Sequence, residues 1–152
     1  MDRAPEEYAE RLSVPLRWWV QGTMLVATLW LAVVVAMPVV AASAIGVVAG
    51  ALLAAGFLAY GSARIAVVDG VLHAGRARIP LVHVGEVAPL DPEQARRLAG
   101  PDADARAYLL LRPYLKRAVR VDITDPADPT PYWLLSTRHP AQLASALGRV
   151  AG

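Results

Sequence analysis

The sequence predicts a membrane α-helical hairpin followed by a small α+β domain made mainly of antiparallel strands. Residues 18–63 contain no Asp, Glu, Lys or Arg, although charged residues make up 18% of the 152-residue chain. Pro38 divides this uncharged run into two apolar blocks. Residues 64–152 alternate short β-rich segments with turn residues and end in an amphipathic helical pattern. We therefore divide the chain into an N-terminal segment 1–17, a transmembrane hairpin 18–63 and a domain 64–152.

The hairpin is predicted from length and from proline chemistry. A membrane helix needs about 20 apolar residues, and one continuous helix over residues 18–63 would be about 69 Å long, twice the thickness of a bilayer. Proline disfavours helical geometry in the residue before it, so the chain should break at Met37-Pro38. We predict helices over 18–37 and 41–60, joined by an uncharged loop near Pro38–Ser43.

The flanking charges predict the orientation of the hairpin. Arg17 precedes the first helix and Arg64 follows the second, whereas the loop between the helices has no Lys or Arg. The positive-inside rule therefore predicts a multi-pass protein of the cell membrane with both termini in the cytoplasm. A cleaved signal peptide is the competing interpretation, because Ala42-Ser43-Ala44 resembles a small-residue cleavage site. The long acidic n-region and the second apolar block oppose it.

Small residues recur every fourth position along the second helix. They form a shallow groove that allows another helix backbone to come close. The partner can be the first helix of the same chain, a second copy of the chain or another membrane protein, and the sequence leaves these open. Neither helix contains an ionisable side chain, which argues against an ion channel or a proton-coupled transporter. The predicted packing residues are Ala42, Gly46, Gly50 and Ala54.

In the first part of the domain, turn residues separate β-rich segments. Asp69-Gly70 suits a type I′ turn between strands 65–68 and 71–74. Residues 75–78 read as a polar interval, and residues 79–90 are β-rich, with Gly85 as a bulge.

The second part of the domain adds two helices and three strands. Asp91 and Gln94 predict a capping box that opens a short helix ending near Gly100. Strands are predicted over 107–111, 119–123 and 132–137, with a proline-rich loop over 125–131. A final helix opens at Pro140, with an apolar stripe of Leu143, Ala146, Leu147 and Val150. A curved antiparallel sheet or open barrel closed by this helix would be pleckstrin-homology-like (PH-like); another small α+β roll is the alternative.

Several segments resemble the DUF3093 family of small actinobacterial membrane proteins. The resemblance rests on Tyr8-Ala-Glu-Arg-Leu12, on the two apolar blocks and on residues 71–80. It is strongest over residues 105–114 and over Tyr132-Trp-Leu-Leu-Ser-Thr-Arg138. It implies a membrane location and a PH-like cytoplasmic module, but it supplies no activity and no functional residues.

Catalytic, metal and cofactor motifs are absent from the sequence. The three histidines, His73, His83 and His139, are not spaced as metal ligands, and the chain has no Cys. No nucleophile elbow or phosphate-binding loop occurs. We therefore expect no catalytic residue, no metal and no cofactor. The net charge of +2 gives no basis for a nucleic-acid partner.

The most suggestive group of residues is basic. Arg112, Lys116, Arg117 and Arg120 cluster around Pro113-Tyr114, and basic groups near a cytoplasmic leaflet are attracted by anionic lipid. A solvated strand face is the plainer interpretation. The sequence thus predicts a non-enzymatic membrane-anchored module that binds a protein partner or acts as a scaffold. Binding of anionic phospholipid is the alternative, and a membrane enzyme is the second alternative.

Overall fold

The computed structural model describes the backbone of residues 8–150 and the side chains of residues 8–148. The chain forms two compact units, of which one is the segment 13–62. The other unit contains, among the described residues, 8–12 together with 63–150. The N-terminal residues just before the hairpin therefore belong to the domain that follows it. The acidic start of the N-terminal segment lies outside the described residues.

The hairpin unit consists of two antiparallel α-helices joined by a very short turn. Helix α1 spans Leu16–Ala36 and α2 spans Val39–Tyr60. Met37 and Pro38 have extended backbone geometry, which confirms the break predicted at this proline. The predicted loop over Pro38–Ser43 is too long, because α2 begins directly after Pro38. The φ of −54° at Pro38 suits the residue that starts a helix, and the apolar residues after it continue the helix.

Both helices are long and apolar enough to cross a membrane. Their most apolar windows have mean hydropathies of 1.8 and 2.2, and only 6% of each window is buried. A core helix of a soluble protein would bury most of such a window, whereas Val35 is 88% and Val40 is 84% exposed here. The outer surface of the hairpin therefore has the composition that lipid requires.

The first sheet of the domain is a four-stranded antiparallel meander, β1 to β4 in order. Strand β1 (Tyr8–Arg11) precedes α1, and β2 (Arg64–Val68) follows α2. The two strands pair from Tyr8↔Val67 to Arg11↔Arg64, so the chain enters and leaves the hairpin from adjacent strands. The sequence did not predict β1, because Tyr8-Ala-Glu-Arg11 does not alternate apolar and polar residues.

The predicted β2–β3 turn is confirmed. Asp69 has a φ of 50° and Gly70 a φ of 70°, as a type I′ turn requires, and β3 spans Val71–Ala74. The predicted polar interval at 75–78 is wrong in its second half. Strand β4 spans Ala77–Pro80 and pairs with β3, which leaves a turn of two residues only.

The second sheet contains β5 (Val84–Leu90), β6 (Tyr108–Leu110), β7 (Ala118–Ile123) and β8 (Tyr132–Ser136) in the order β5-β7-β8-β6. The β5–β7 register shifts between Val84 and Val87, which confirms the bulge expected at Gly85. Strands β6 and β8 are parallel, a pairing that the sequence did not predict. Local patterns do not specify which distant strands become neighbours.

Both helices of the domain form as predicted. In α3 (Pro92–Ala99) the backbone N–H of Gln94 donates to Asp91 Oδ1 at 2.8 Å, and the Asp91 N–H donates to Gln94 Oε1 at 3.1 Å. This pair of bonds is the predicted capping box. Helix α4 spans Pro140–Val150, and its Leu143 and Leu147 are fully buried, whereas the side chain of Val150 lies outside the described part of the chain.

The main core lies between the two sheets and α4. Its buried members come from strands β2 to β8, from the segments that hold Leu12 and Leu81, and from α4. A second, smaller core lies under α3 and contains Ala95, Ala118, Tyr132 and Leu134. The main core includes Leu12, Ile65, Val67, Leu72, Val119, Val121, Leu135, Leu143 and Leu147.

Candidate functional site

Two of the predicted packing residues of α2, Ala42 and Gly46, lie on the side of the helix that meets α1. Ala42 is fully buried, and a Cβ atom built at Gly46 would lie 3.0 Å from Cδ1 of Trp30 in α1. The Trp30 indole N–H donates to the Ser43 hydroxyl at 3.4 Å. Gly50 and Ala54 are half-buried, but a Cβ at Gly50 would meet no atom within 4 Å. Gly46 thus makes close contact within the chain, and Gly50 leaves open space.

Gly22 of α1 lies in close contact with side chains of α2. A Cβ atom there would lie 2.6 Å from Cδ2 of Leu53 and 3.3 Å from Cε2 of Phe57. Trp19 packs edge-on against Phe57, with ring centroids 5.2 Å apart. Sequence reasoning missed Gly22, because it has no small residue four positions away. A lone glycine within a strongly apolar helix was the available signal.

The four predicted lipid-contact residues differ in exposure and in the contacts they make. Arg120 lies on β7, on the face that α3 covers, and its Nε donates to Asp122 Oδ1 at 2.8 Å. Its guanidinium also lies 4.5 Å from the centroid of the Tyr132 ring. These two contacts hold the Arg120 guanidinium against Asp122 and Tyr132 of its own domain. Arg112 is half-buried, and its Nη1 donates to the carbonyl oxygen of Leu111.

Lys116 and Arg117 are the exposed members of the predicted group. They lie in the loop before β7, and Tyr114 of this loop donates its hydroxyl to the carbonyl oxygen of Leu12 at 2.7 Å. Leu12 is four residues before the start of α1. This hydrogen bond ties the basic loop to the segment from which the chain enters the hairpin.

A buried carboxylate in β1 joins this segment to the end of β8. Glu10 is 8% exposed and accepts the backbone N–H of Arg138 at 2.8 Å on Oε1. Its other oxygen accepts the hydroxyl of Tyr8 at 2.7 Å and the hydroxyl of Thr137. Thr137 Oγ1 also accepts the His139 backbone N–H at 3.0 Å, just before α4. We call Tyr8, Glu10, Thr137 and Arg138 the Glu10 cluster.

The Glu10 cluster is built to hold two chain segments together. Burial raises the pKa of the Tyr8 phenol well above its ordinary value, and the Glu10 carboxylate adds to this rise while the Thr137 hydrogen bond opposes it. Tyr8 therefore remains a neutral hydrogen-bond donor at physiological pH. Both carboxylate oxygens accept donors from the same chain, an arrangement that fixes geometry rather than presenting a reactive group.

The outer face of the first sheet is strongly basic. Arg11 and Arg64 lie directly opposite each other on β1 and β2, and Arg78 of β4 lies opposite His73 of β3. Arg76 occupies the β3–β4 turn, and the Gly75 backbone N–H bonds the Arg64 carbonyl oxygen at 2.9 Å, which places this turn at the Arg11–Arg64 end. All four arginines are exposed. We call Arg11, Arg64, Arg76 and Arg78 the sheet arginine group.

The histidines lie apart in the fold. His73 is in β3, His83 ends the 3₁₀ turn Leu81–His83 that links β4 to β5, and His139 precedes α4. Across the described residues, no three His, Cys, Asp or Glu side chains lie close enough together to hold a metal ion.

The sequence model of one protein family matches the chain over residues 7–147, and the family is described as a protein of unknown function (DUF3093). The chain belongs to the DUF3093 family. No curated protein and no solved structure matches the chain. The family assignment confirms the resemblance read from the sequence.

The DUF3093 match covers both units of the molecule. It begins before β1 and ends within α4, so it includes the whole hairpin and the strands β1 to β8 of the described residues. The Glu10 cluster and the sheet arginine group therefore both lie inside the family region. Sequence reasoning missed both, because each brings together residues from β1 and from the domain that follows the hairpin, more than 50 positions further along the chain.

Proposed function

We propose that this DUF3093 protein is a non-enzymatic membrane-anchored module that presents its domain at the cytoplasmic face of the cell membrane to a protein partner. One observation carries the proposal. The strand before the hairpin and the strand after it pair in one sheet. An anchor attached through both ends restrains its domain more than a single flexible tether does, because each short connection removes rotational freedom.

The same pairing supports a retained anchor rather than a cleaved signal peptide. Cleavage at Ala42-Ser43-Ala44 would cut within α2 and would separate β1 from the sheet. It would also remove Glu10, which joins β1 to the segment that leads into α4. The domain therefore needs an intact hairpin to keep β1 in its first sheet.

The Glu10 cluster supports a non-enzymatic role. Glu10 is the one buried carboxylate among the described residues, and it already accepts hydrogen bonds from three donors of its own chain. A PH-like organisation of the domain is part of the proposal. The run of antiparallel strands and the C-terminal helix support it, whereas the parallel β6–β8 pair departs from a purely antiparallel sheet.

The orientation can be tested by single-cysteine labelling, because the chain has no Cys of its own. The Met37→Cys variant places a thiol in the turn between the helices, and Ala127→Cys places one in the exposed loop after β7. A membrane-impermeant maleimide should label Met37→Cys in intact cells and Ala127→Cys only after lysis. Labelling of Ala127→Cys from outside would overturn the cytoplasmic placement.

The interaction role is tested on full-length protein extracted in mild detergent. Light scattering after size-exclusion chromatography gives the protein mass of the particle, and cross-linking in cells before extraction preserves weak contacts. The proposal expects a particle heavier than one chain, containing a second copy or another protein in fixed stoichiometry. A particle of one chain with no cross-linked partner argues against it.

A further inference from the structure

We propose that the outer face of strands β2 to β4 binds an acidic segment of a protein that differs from this chain. The face carries apolar side chains at one end of the strands and exposed arginines further along. This inference deepens the proposed function and rests on its protein-partner role. It names the surface that the partner contacts and the chemistry that the partner presents.

A row of apolar side chains crosses the outer face next to the β2–β3 turn. Val68 lies opposite Val71, and Val71 lies opposite Pro80, so neighbouring strands place the three side by side. Val67 and Leu72, the neighbours of the two valines in sequence, are fully buried in the main core. Because successive side chains of a strand point to opposite faces, Val68 and Val71 point away from that core. We call Val68, Val71 and Pro80 the apolar row.

Val82 adds a further apolar side chain beside the apolar row. It is 80% exposed in the 3₁₀ turn after β4. The Leu81 backbone N–H donates to the Gly70 carbonyl oxygen at 2.8 Å, which holds this turn next to the β2–β3 turn. Neither core of the described residues includes Val82 or a member of the apolar row. These side chains gain nothing from the domain core and are suited to burial against a partner.

Positive charge lies next to the apolar row. Arg78 precedes Pro80 by two residues on β4 and therefore shares its face, and Arg76 lies in the β3–β4 turn. Both arginines are exposed, and neither makes an ion pair with another described residue. Within residues 63–83 the one acidic residue is Asp69, in the β2–β3 turn. Charge complementarity therefore favours a partner segment in which carboxylates lie beside apolar side chains.

A second copy of the chain is a poor occupant of this face. Arg11 is five residues before α1, so copies in one membrane have the same end of the first sheet tied to their hairpins. Two outer faces that pair under this restraint bring their Arg78 side chains towards each other, and like charges repel. Lipid is also a poor occupant, because the apolar row lies at the end of β2 opposite Arg64, where the chain leaves the hairpin.

Photo-crosslinking of the full-length protein in cells tests the surface. The photoreactive residue p-benzoylphenylalanine replaces Val82, or Leu109 as the matched control, an exposed apolar residue on β6 of the second sheet. After illumination and extraction in mild detergent, mass spectrometry identifies the peptide joined to each position. The proposal expects an adduct at Val82 with one protein, through a segment that contains carboxylates and apolar residues, and no such adduct at Leu109.

Charge variants in the Val82 crosslinking background decide whether the arginines contribute. The extract is diluted until half of the adduct remains, so that the yield on illumination reports affinity. Arg76→Gln/Arg78→Gln should lower this yield about fivefold, because two ion pairs are lost. Lys116→Gln/Arg117→Gln, which removes two exposed charges from the loop before β7, should keep it, and so should Arg76→Lys/Arg78→Lys. Equal thermal midpoints show that a loss is not unfolding.

The other outcomes overturn the assignment. These are a Val82 adduct with a phospholipid or with a second copy of the chain, an equal adduct at Leu109, and an unchanged yield in Arg76→Gln/Arg78→Gln. The particle mass from light scattering separates this inference from the proposed function. A particle that contains another protein but gives no Val82 adduct refutes this surface alone, whereas a particle of one chain refutes the protein-partner role as well.

Discussion

The hairpin and the domain use apolar side chains in opposite ways. In the hairpin, Leu16 and Leu25 are 77% and 70% exposed, and contact between the helices depends on small residues such as Gly22 and Ala42. In the domain, Leu72 and similar side chains are completely buried, and charged residues cover the surface. The comparison shows two different surfaces on one chain: the hairpin exposes apolar side chains, as a helix that crosses a membrane would, and the domain exposes charged ones.

The largest expected effect is in the domain core. Leu72→Ala removes a fully buried side chain and should lower the free energy of unfolding by about 3 kcal/mol, through lost burial and the cavity left behind. Leu52→Ala, at a position on α2 that is 69% exposed, is the matched control and should change it by less than about 0.5 kcal/mol in micelles. Chemical unfolding followed by circular dichroism measures both. Equal losses would mean that the outer face of the hairpin is packed against protein.

The next largest effect concerns the Glu10 cluster, which attaches β1 to the domain. Glu10→Ala leaves the Thr137 hydroxyl and the Arg138 backbone N–H without their buried acceptor, at a cost of about 2 kcal/mol. Hydrogen exchange should increase in β1 and β2 and stay unchanged in α3. Glu86→Ala, at an exposed position of β5, should behave as wild type. Unchanged exchange in Glu10→Ala would show that β1 stays paired without the carboxylate.

A smaller effect is expected where the two helices meet. Gly22→Ala forces a Cβ atom to within 2.6 Å of Leu53, so the helices must separate or the leucine must move, at about 1 kcal/mol. Gly50→Ala adds the same atom to open space and should be neutral or slightly stabilising. Thermal unfolding in micelles ranks the two variants. A larger loss in Gly50→Ala would indicate that this glycine packs against a second chain.

The smallest effect is the alkaline response of Tyr8. Because its pKa is raised in the folded protein, its contribution to stability is complete below the unfolded pKa of about 10 and is lost as the pH rises above that value. The Tyr8→Phe variant should lose stability less steeply between pH 9 and about pH 11. Unfolding midpoints over this range compare it with wild type. Parallel curves would show that Tyr8 ionises in the folded state as readily as in the unfolded chain.

Local chemistry explains the parts of the fold that the sequence predicted. The Pro38 break, the Asp69-Gly70 turn and the Asp91 capping box each depend on neighbouring residues and on fixed backbone preferences. Strand β1 and the parallel β6–β8 pair depend on partners further along the chain. A single sequence carries no direct signal for such pairings.

The same division applies to the candidate sites. The sequence identified Arg112, Lys116, Arg117 and Arg120 because they are close in sequence, but Arg120 is held by Asp122 and Tyr132. It could not identify the Arg11–Arg64 pair, whose members lie on either side of the hairpin. The spacing of small residues on α2 pointed to Gly46, which meets Trp30, but also to Gly50, which faces open space, and the contact at Gly22 depends on which residues of α2 come opposite.

By itself, the sequence determined that two apolar helices precede a mixed α/β domain, because charge, proline and hydrophobic periodicity act over a few residues. The tertiary structure decided that the segment before the hairpin is a strand of that domain, joined to it through Glu10. It also decided that Arg11, Arg64 and Arg78 share one sheet face. The physical reason is that strand pairing and burial are cooperative over the whole domain, and the partners of β1 lie beyond the two helices.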